Sequence, residues 1–276
     1  MPELPEVETI KRVIEPQIKG LEICGITANR KDVIAYPSAE IFCKSIENQI
    51  ISTMYRRGKF LTILLESGDK IILHLRMTGC LLVTPPNYPL EKHTHIIFQL
   101  SNRNELRFSD TRRFGRFWLI KSDEEDTYSG IQKLGLEPFD DDFNAEYLKR
   151  HFVKRRKSIK ECLLEQSVIA GIGNIYSDEI LFASKICPER SASSLTDMEW
   201  QKLAEIIPKQ LSYYIEKNNI IAEDYLQSKG KEYRNTPFLK VYGHDGDSCP
   251  NCGNILCRTV IGGRSSVFCS VCQTKD

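Results

Sequence analysis

The sequence predicts a multidomain α+β protein, and three observations carry that expectation. Short strand-like runs fill residues 20 to about 121, the apolar spacing turns helical beyond residue 142, and two Cys-x-x-Cys knuckles close the chain. An N-terminal helix comes first: PEVETIKRVIEPQI spaces Val7, Ile10, Ile14 and Ile18 at three and four residues, and Pro5 sits near the start, where its missing N–H costs nothing. The runs KFLTILLES, KIILHLR, THIIFQL and NELRFS, separated by Gly, Pro, Asn and Asp clusters, then predict a mostly antiparallel sandwich or barrel.

Residues 122–142, acidic and rich in turn formers, read as a linker between a domain over 1–121 and a helical domain over 143–237. In the latter, AEYLKRHFV and SIKECLLEQ precede a break at VIAGIGN. IYSDEILFASK and TDMEWQKLAEIIPKQLSYYIEK follow, the second opened by a capping box of Thr196 and Glu199. The tail, 238–276, is too short for a core of its own.

The 276 residues contain no run of 18 apolar residues and no signal-peptide pattern, so a cytoplasmic protein without membrane contact is expected. Five of the ten cysteines are scattered over residues 24–187 and five fall in the last 28, which fits a reducing compartment better than a disulfide scaffold. Net charge is only +1, but it is segregated: Lys149, Arg150, Lys154, Arg155, Arg156, Lys157 and Lys160 form a run without an acid. Such a run is most often a solvated helix face and is weak evidence for phosphate binding.

The strongest local signal is Cys249-x-x-Cys252 and Cys269-x-x-Cys272, with sixteen residues between the knuckles. Four thiolates so spaced can close a tetrahedron around one structural zinc ion, whose binding supplies the folding energy of the tail. Cys257 lies outside both knuckles. The hairpin so held includes GGRSS, with Arg264 near its tip, well placed for an anion. AGIGNIY puts glycines before Asn174 at a helix start, where phosphate is favoured, although a tight turn explains the glycines equally well. HLRMTG and DTRRFG each end a strand-like run and offer Met77, Arg112 and Phe114; one such residue is usually packing, but an apolar wedge beside arginine also unstacks a duplex.

The opening MPELPE adds a nucleophile. Removal of Met1 makes Pro2 a secondary amine with a pKa of roughly 8, able to attack a sugar carbon and leave an iminium link. Glu3 beside it can protonate the opening sugar ring. Lys59 in RRGKF is a further acid or phosphate anchor, although an exposed lysine on a strand edge is the commoner reason for such a residue.

In these motifs the chain resembles the formamidopyrimidine-DNA glycosylase family from end to end: MPELPEVET, RRGK, HLRMTG, EKHTH, DTRRFG, LGLEP, AGIGNIYSDE, LQSKGK, VYG and FCSVCQ follow in family order. The resemblance implies a β-sandwich, a helix-two-turn-helix domain and a zinc finger. It also implies a bifunctional DNA glycosylase and AP lyase that removes 8-oxoguanine and formamidopyrimidines and cuts the strand by β,δ-elimination. By the same resemblance Pro2 is the nucleophile, Glu3 the catalytic acid, Glu6 a supporting carboxylate, Lys59 the proton donor of β-elimination and Arg264 the phosphate grip of δ-elimination. His93, Arg112, Lys157 and Asn174 fall at DNA-contact positions, and Met77, Arg112 and Phe114 at those of the triad that fills the duplex void. The partner implied is double-stranded DNA holding a damaged base or abasic site, met by a monomer in the bacterial cytoplasm and on the nucleoid.

Departures from the family pattern concentrate in the segment expected to cap the lesion. Asn218, Asn219, Ile220 and Ile221 stand where Gly-Gly and Ser or Thr are usual, Glu223 replaces a basic residue, and Tyr233, Arg234, Asn235 and Thr236 replace a Gly-aromatic stretch. His244 follows VYG in place of Arg. Two alternatives follow: an endonuclease VIII-like enzyme for oxidised pyrimidines, against which Leu4 in PELPE speaks, and a non-catalytic damaged-DNA-binding paralogue.

Overall fold

The structure is a computed structural model that describes residues 1–230 and 236–275. Tyr233, Arg234 and Asn235 therefore lie outside the described residues, while Thr236 opens a single 3-10 turn. Two compact units emerge, one from Met1–Gln132 with the segment that begins at Asn218, the other from Lys133–Lys217 with the tail.

In the first unit, α1 (Leu4–Ile18) buries Val7, Ile10, Ile14 and Ile18, the residues whose spacing predicts it. Two sheets follow. One runs β1 (Ile23–Ala28), β7 (Thr94–Leu100), β8 (Glu105–Asp110), β6 (Gly79–Thr84), all antiparallel. The other runs β2 (Ile34–Tyr36), β9 (Arg116–Ile120), β5 (Lys70–His74), β4 (Phe60–Leu65), β3 (Ile51–Arg57) and is antiparallel except for β2, which pairs with β9 in parallel. Phe117 of β9 meets Phe108 of β8 edge-on at 5.0 Å, so aromatic packing closes the sandwich at its middle.

A helix absent from the sequence reading, α2 (Ala39–Ile46), interrupts the strands; Ser38 caps it through Ile41 N–H, and Ala39, Phe42 and Ile46 face inward. The segment from Asn218, assigned on sequence to the helical domain, packs instead on this unit. Its short helix α7 (Ala222–Gln227) brings Tyr225 into the sandwich core, where the phenol donates to Leu81 O at 3.2 Å.

In the second unit, α3 (Ala145–Phe152), α4 (Ile159–Leu163), α5 (Asn174–Ser184) and α6 (Asp197–Lys217) pack together, with α6 lying against α3 and α5. α3 and α4 start on Asn144 and Ser158, whose side chains accept the N–H three residues on. The tail forms the hairpin β10 (Cys257–Ile261) and β11 (Arg264–Phe268). Its small apolar cluster, Val241, Leu256 and Val267, is completed by Phe182 of α5, so the tail borrows a core from the helices as well as from metal.

Candidate active site and nucleic-acid interface

Glu3 stands at the cap of α1, and its N–H donates to Glu6 Oε2 at 2.8 Å, which fixes the first turn. Pro2, Glu3 and Glu6 are buried, whereas Met1 is 42% exposed, so loss of Met1 opens the Pro2 nitrogen to the outside. Lys59 is not on an exposed strand edge, the commoner reading of such a residue. It occupies the two-residue turn between β3 and β4 and is only 7% exposed, beside Gly58 at φ +57°, where a side chain would be strained. The turn is braced to α1: Glu8 Oε2 accepts from Arg56 Nε at 3.0 Å, and Arg56 donates on to Gly58 O. Burial raises the Glu8 carboxyl, but Arg12 and Arg56 outweigh it and hold the group below its usual range.

His74, unremarked in the sequence, belongs to the same wall. Its ring meets Phe60 edge-on at 4.6 Å, and its Nδ1 accepts from Arg76 N, which leaves the proton on Nε2. Burial first, then the charges of Arg76 and Lys59, push its pKa down to about 3. A histidine held neutral in the fold and free to charge when unfolded contributes stability above pH 6.5 that drains as pH falls toward 3. Between pH 7 and 5 the loss due to His74→Gln removal of this titration should be visible: the variant's stability should fall by roughly 1 to 2 kcal/mol less than that of the unmodified chain. Urea unfolding followed through Trp118 checks it, and identical pH dependence in both proteins would contradict it.

The loops ahead of β6 and after β8 bring Met77, Arg112 and Phe114 together at one exposed tip. The Arg112 guanidinium lies 4.9 Å from the Phe114 ring centre and 2.9 Å from the Met77 sulfur, while Met77 and Phe114 are 42% and 47% exposed. Two bulky apolar side chains left in solvent around one cation form a wedge rather than a core. His93 is half-buried and lines a nearby cavity of about 520 Å³ with Thr78, Glu91, Lys92, Asp110 and Lys229.

In the second unit, Asn174 opens α5 after Gly173, and its Nδ2 donates to Ser265 O at 3.0 Å, which ties the helix start to the hairpin. Arg264 is exposed where β10 turns into β11 through Gly262 and Gly263, both at positive φ, as a tight hairpin turn requires. Two acids missed by sequence reading hold the scaffold. Asp178 accepts from Lys160 Nζ, Ser266 Oγ and Val267 N, and Glu179 accepts from the N–H groups of Lys240, Val241 and Tyr242. Lys160 is thus wholly buried and leaves the basic run; Lys154, Arg156 and Lys157 remain exposed.

The sulfurs of Cys249, Cys252, Cys269 and Cys272 lie within 4.8 Å of one another, with pairs at 3.5 and 3.9 Å. Thiolates around one zinc stand about 3.8 Å apart, given Zn–S bonds of about 2.3 Å, so the cluster fits that metal as a closed structural site. Cys257 points away, toward Ile255 O and Ser270.

Models of three domains match the chain in order: the formamidopyrimidine-DNA glycosylase N-terminal domain over residues 1–117, its H2TH domain over 134–225, and a zinc finger found in FPG and IleRS over 246–275. Curated formamidopyrimidine-DNA glycosylases of Pelotomaculum thermopropionicum and Desulforamulus reducens are 41% and 43% identical, each over 99% of both chains. Among solved structures, Lactococcus lactis Fpg in complex with DNA containing an oxidized pyrimidine is 33% identical with a TM-score of 0.89, covering 99% of this chain and 100% of its own. MutM in complex with DNA containing carbocyclic 8-oxo-G matches equally, at 34% identity and a TM-score of 0.89 over 99% and 100% of the two chains.

Proposed function

The chain belongs to the formamidopyrimidine-DNA glycosylase family, and we propose that it is a bifunctional DNA glycosylase and AP lyase that removes oxidised purines. The observation that supports this most is the buried first turn of α1, where Pro2 sits between an exposed, removable Met1 and a carboxyl pair, with the Lys59 turn braced alongside. Burying carboxylates and a lysine is costly, and a site that must move protons in a dry setting gives a reason to do so.

The Pro2 nitrogen lone pair forms a bond to C1′ as the bond from C1′ to the base breaks, the electron pair leaving with the base. Glu3 delivers a proton to the ring oxygen as the sugar opens, and the nitrogen, having lost its proton, becomes the iminium. The C2′ proton, made acidic by the iminium, is then lost to water as the bond from C3′ to the phosphate oxygen breaks, the electron pair leaving with the phosphate and Lys59 donating a proton to that oxygen. Arg264 stabilises the second phosphate as it leaves, and water releases Pro2. One structural zinc ion holds the hairpin that carries Arg264; His93, Arg112 and Lys157 contact the DNA, and Asn174 lies at a phosphate-binding turn. No helix of the described residues is long and apolar enough to cross a membrane.

A second reading, excision of oxidised pyrimidines, is favoured by the Lactococcus lactis complex with such DNA and by the altered segment from Asn218, whose amide is fastened to Thr9 Oγ1 at 3.0 Å. A panel of duplexes holding 8-oxoguanine, a formamidopyrimidine or thymine glycol separates the two. Release of the purine lesions with borohydride-trapped adduct is expected, and release of thymine glycol alone would overturn the purine assignment.

A further inference from the structure

We infer that Asp110, the last residue of β8, is a positioning residue that sets the Met77, Arg112 and Phe114 tip; the inference rests on the proposed reading of that tip as the group that fills the void left by an extruded base. Asp110 is 1% exposed, and each hydrogen bond that its carboxylate accepts comes from a loop that bears one of these side chains. Its Oδ1 accepts from the Thr78 hydroxyl and from Arg112 N at 3.1 Å, so one oxygen joins the Met77 loop to the Arg112 loop. Its Oδ2 accepts from Gly115 N at 2.8 Å and closes the turn behind Phe114. The backbone of the same residue is fastened to the strand that follows His93: its N–H donates to His93 O at 3.0 Å, and its carbonyl is 2.7 Å from His95 Nε2.

The backbone around the tip needs such a clamp. Arg76 and Arg113 both adopt the left-handed region, at φ +56° and +62°, which costs a residue with a side chain and persists only where neighbours enforce it. Slack is also absent: a Cβ on Gly115 would stand 2.4 Å from the Phe108 ring, and one on Gly79 would stand 2.3 Å from Leu75 O. Three donors converge on two oxygens, a demand that a carboxylate meets and an amide does not, because the amide offers one acceptor and turns N–H toward N–H on its other side. With both oxygens held by these donors, the Asp110 carboxylate acts through the side chains it aims.

Single-turnover excision of 8-oxoguanine from duplex DNA, measured for Asp110→Asn, Phe114→Ala and the double variant, tests this. Asp110→Asn should slow excision on the order of 10²-fold, the scale of an ångström-sized misplacement. The double variant should lose much less than the product of the two single losses, because Asp110 acts through a wedge that Phe114→Ala has already broken. A 2-aminopurine base opposite the lesion should lose the fluorescence change that reports insertion. If the two losses multiply, Asp110 acts elsewhere and the inference falls while the glycosylase assignment stands. If Phe114→Ala alone changes neither excision nor fluorescence, the reading of the tip fails and takes the inference with it. Should Asp110→Asn fold poorly, Thr78→Val, which removes one donor and keeps the carboxylate, should weaken insertion and Thr78→Ser restore it; insertion by Thr78→Val equal to the unmodified protein would overturn the inference.

Discussion

A variant that keeps one additional residue ahead of Pro2 should lose base excision and borohydride trapping by roughly 10³-fold or more, the scale on which removal of a nucleophile acts. A secondary amine of pKa roughly 8 is in part unprotonated at neutral pH, whereas the same nitrogen inside a peptide bond has no lone pair to give. The effect should fall on chemistry and spare recognition. Arg264, Lys157 and Asn174 belong to the other compact unit, and the exposed tip stands on the loops around β6 and β8 rather than on α1. Duplex affinity should therefore hold while the covalent adduct vanishes. The same logic makes intact mass a direct check: fully active protein that still begins with Met1 would remove the nucleophile from the account. Glu3→Gln differs in kind, since it keeps the amine and removes the acid, so trapping on a preformed abasic site should suffer less than excision.

What the sequence disclosed about this site was local. MPELPE, the cysteine knuckles and the glycine-bounded loops concentrate their chemistry within a few residues, and the periodicity of Val7, Ile10, Ile14 and Ile18 is contained in one helix. What it hid depends on partners far along the chain. Lys160 looks like one more surface cation until Asp178, eighteen residues on, and Ser265, a further strand away, enclose it. Glu179 looks like a helix-surface acid, yet it collects N–H groups some sixty residues later and so gives the VYG motif its place. Asn218, read from sequence as a lost glycine, reaches back 209 residues to Thr9. The helix α2 escaped for a different reason: at eight residues it shows barely two turns of period, and Ala39, Phe42 and Ile46 are as consistent with a strand-rich stretch. The parallel pairing of β2 with β9 has no sequence signature in three residues.

Breaking the buried pair should produce the largest change in stability. Lys160 and Asp178 are fully shielded, with Nζ and Oδ1 2.7 Å apart, and burial pushes the Asp178 carboxyl above its ordinary value even as Lys160 and Ser266 pull it down. Removing one partner leaves an uncompensated charge where water cannot reach it, so Lys160→Met should cost the second unit about 3 to 5 kcal/mol, measured by urea unfolding through Trp200. The damage should spread along a defined path. Asp178 also fixes Ser266 and Val267, and Lys160 donates to Ser265 O at 2.9 Å, so β11 loses its register on α5 between Arg264 and the ligand Cys269. Zinc should then be released to a chromophoric chelator faster than from the unmodified protein, and duplex affinity should drop with it. The double variant Lys160→Met, Asp178→Leu buries no charge and should recover much of the stability, though not the anchoring of Ser266 and Val267, whose donors lose their acceptor. Stability and DNA affinity therefore part company in the double variant, and that separation distinguishes an anchor for the hairpin from a pair that serves the fold alone. A Lys160→Met protein that loses less than about 1 kcal/mol, the worth of a surface ion pair, and holds its zinc would show that the pair anchors nothing.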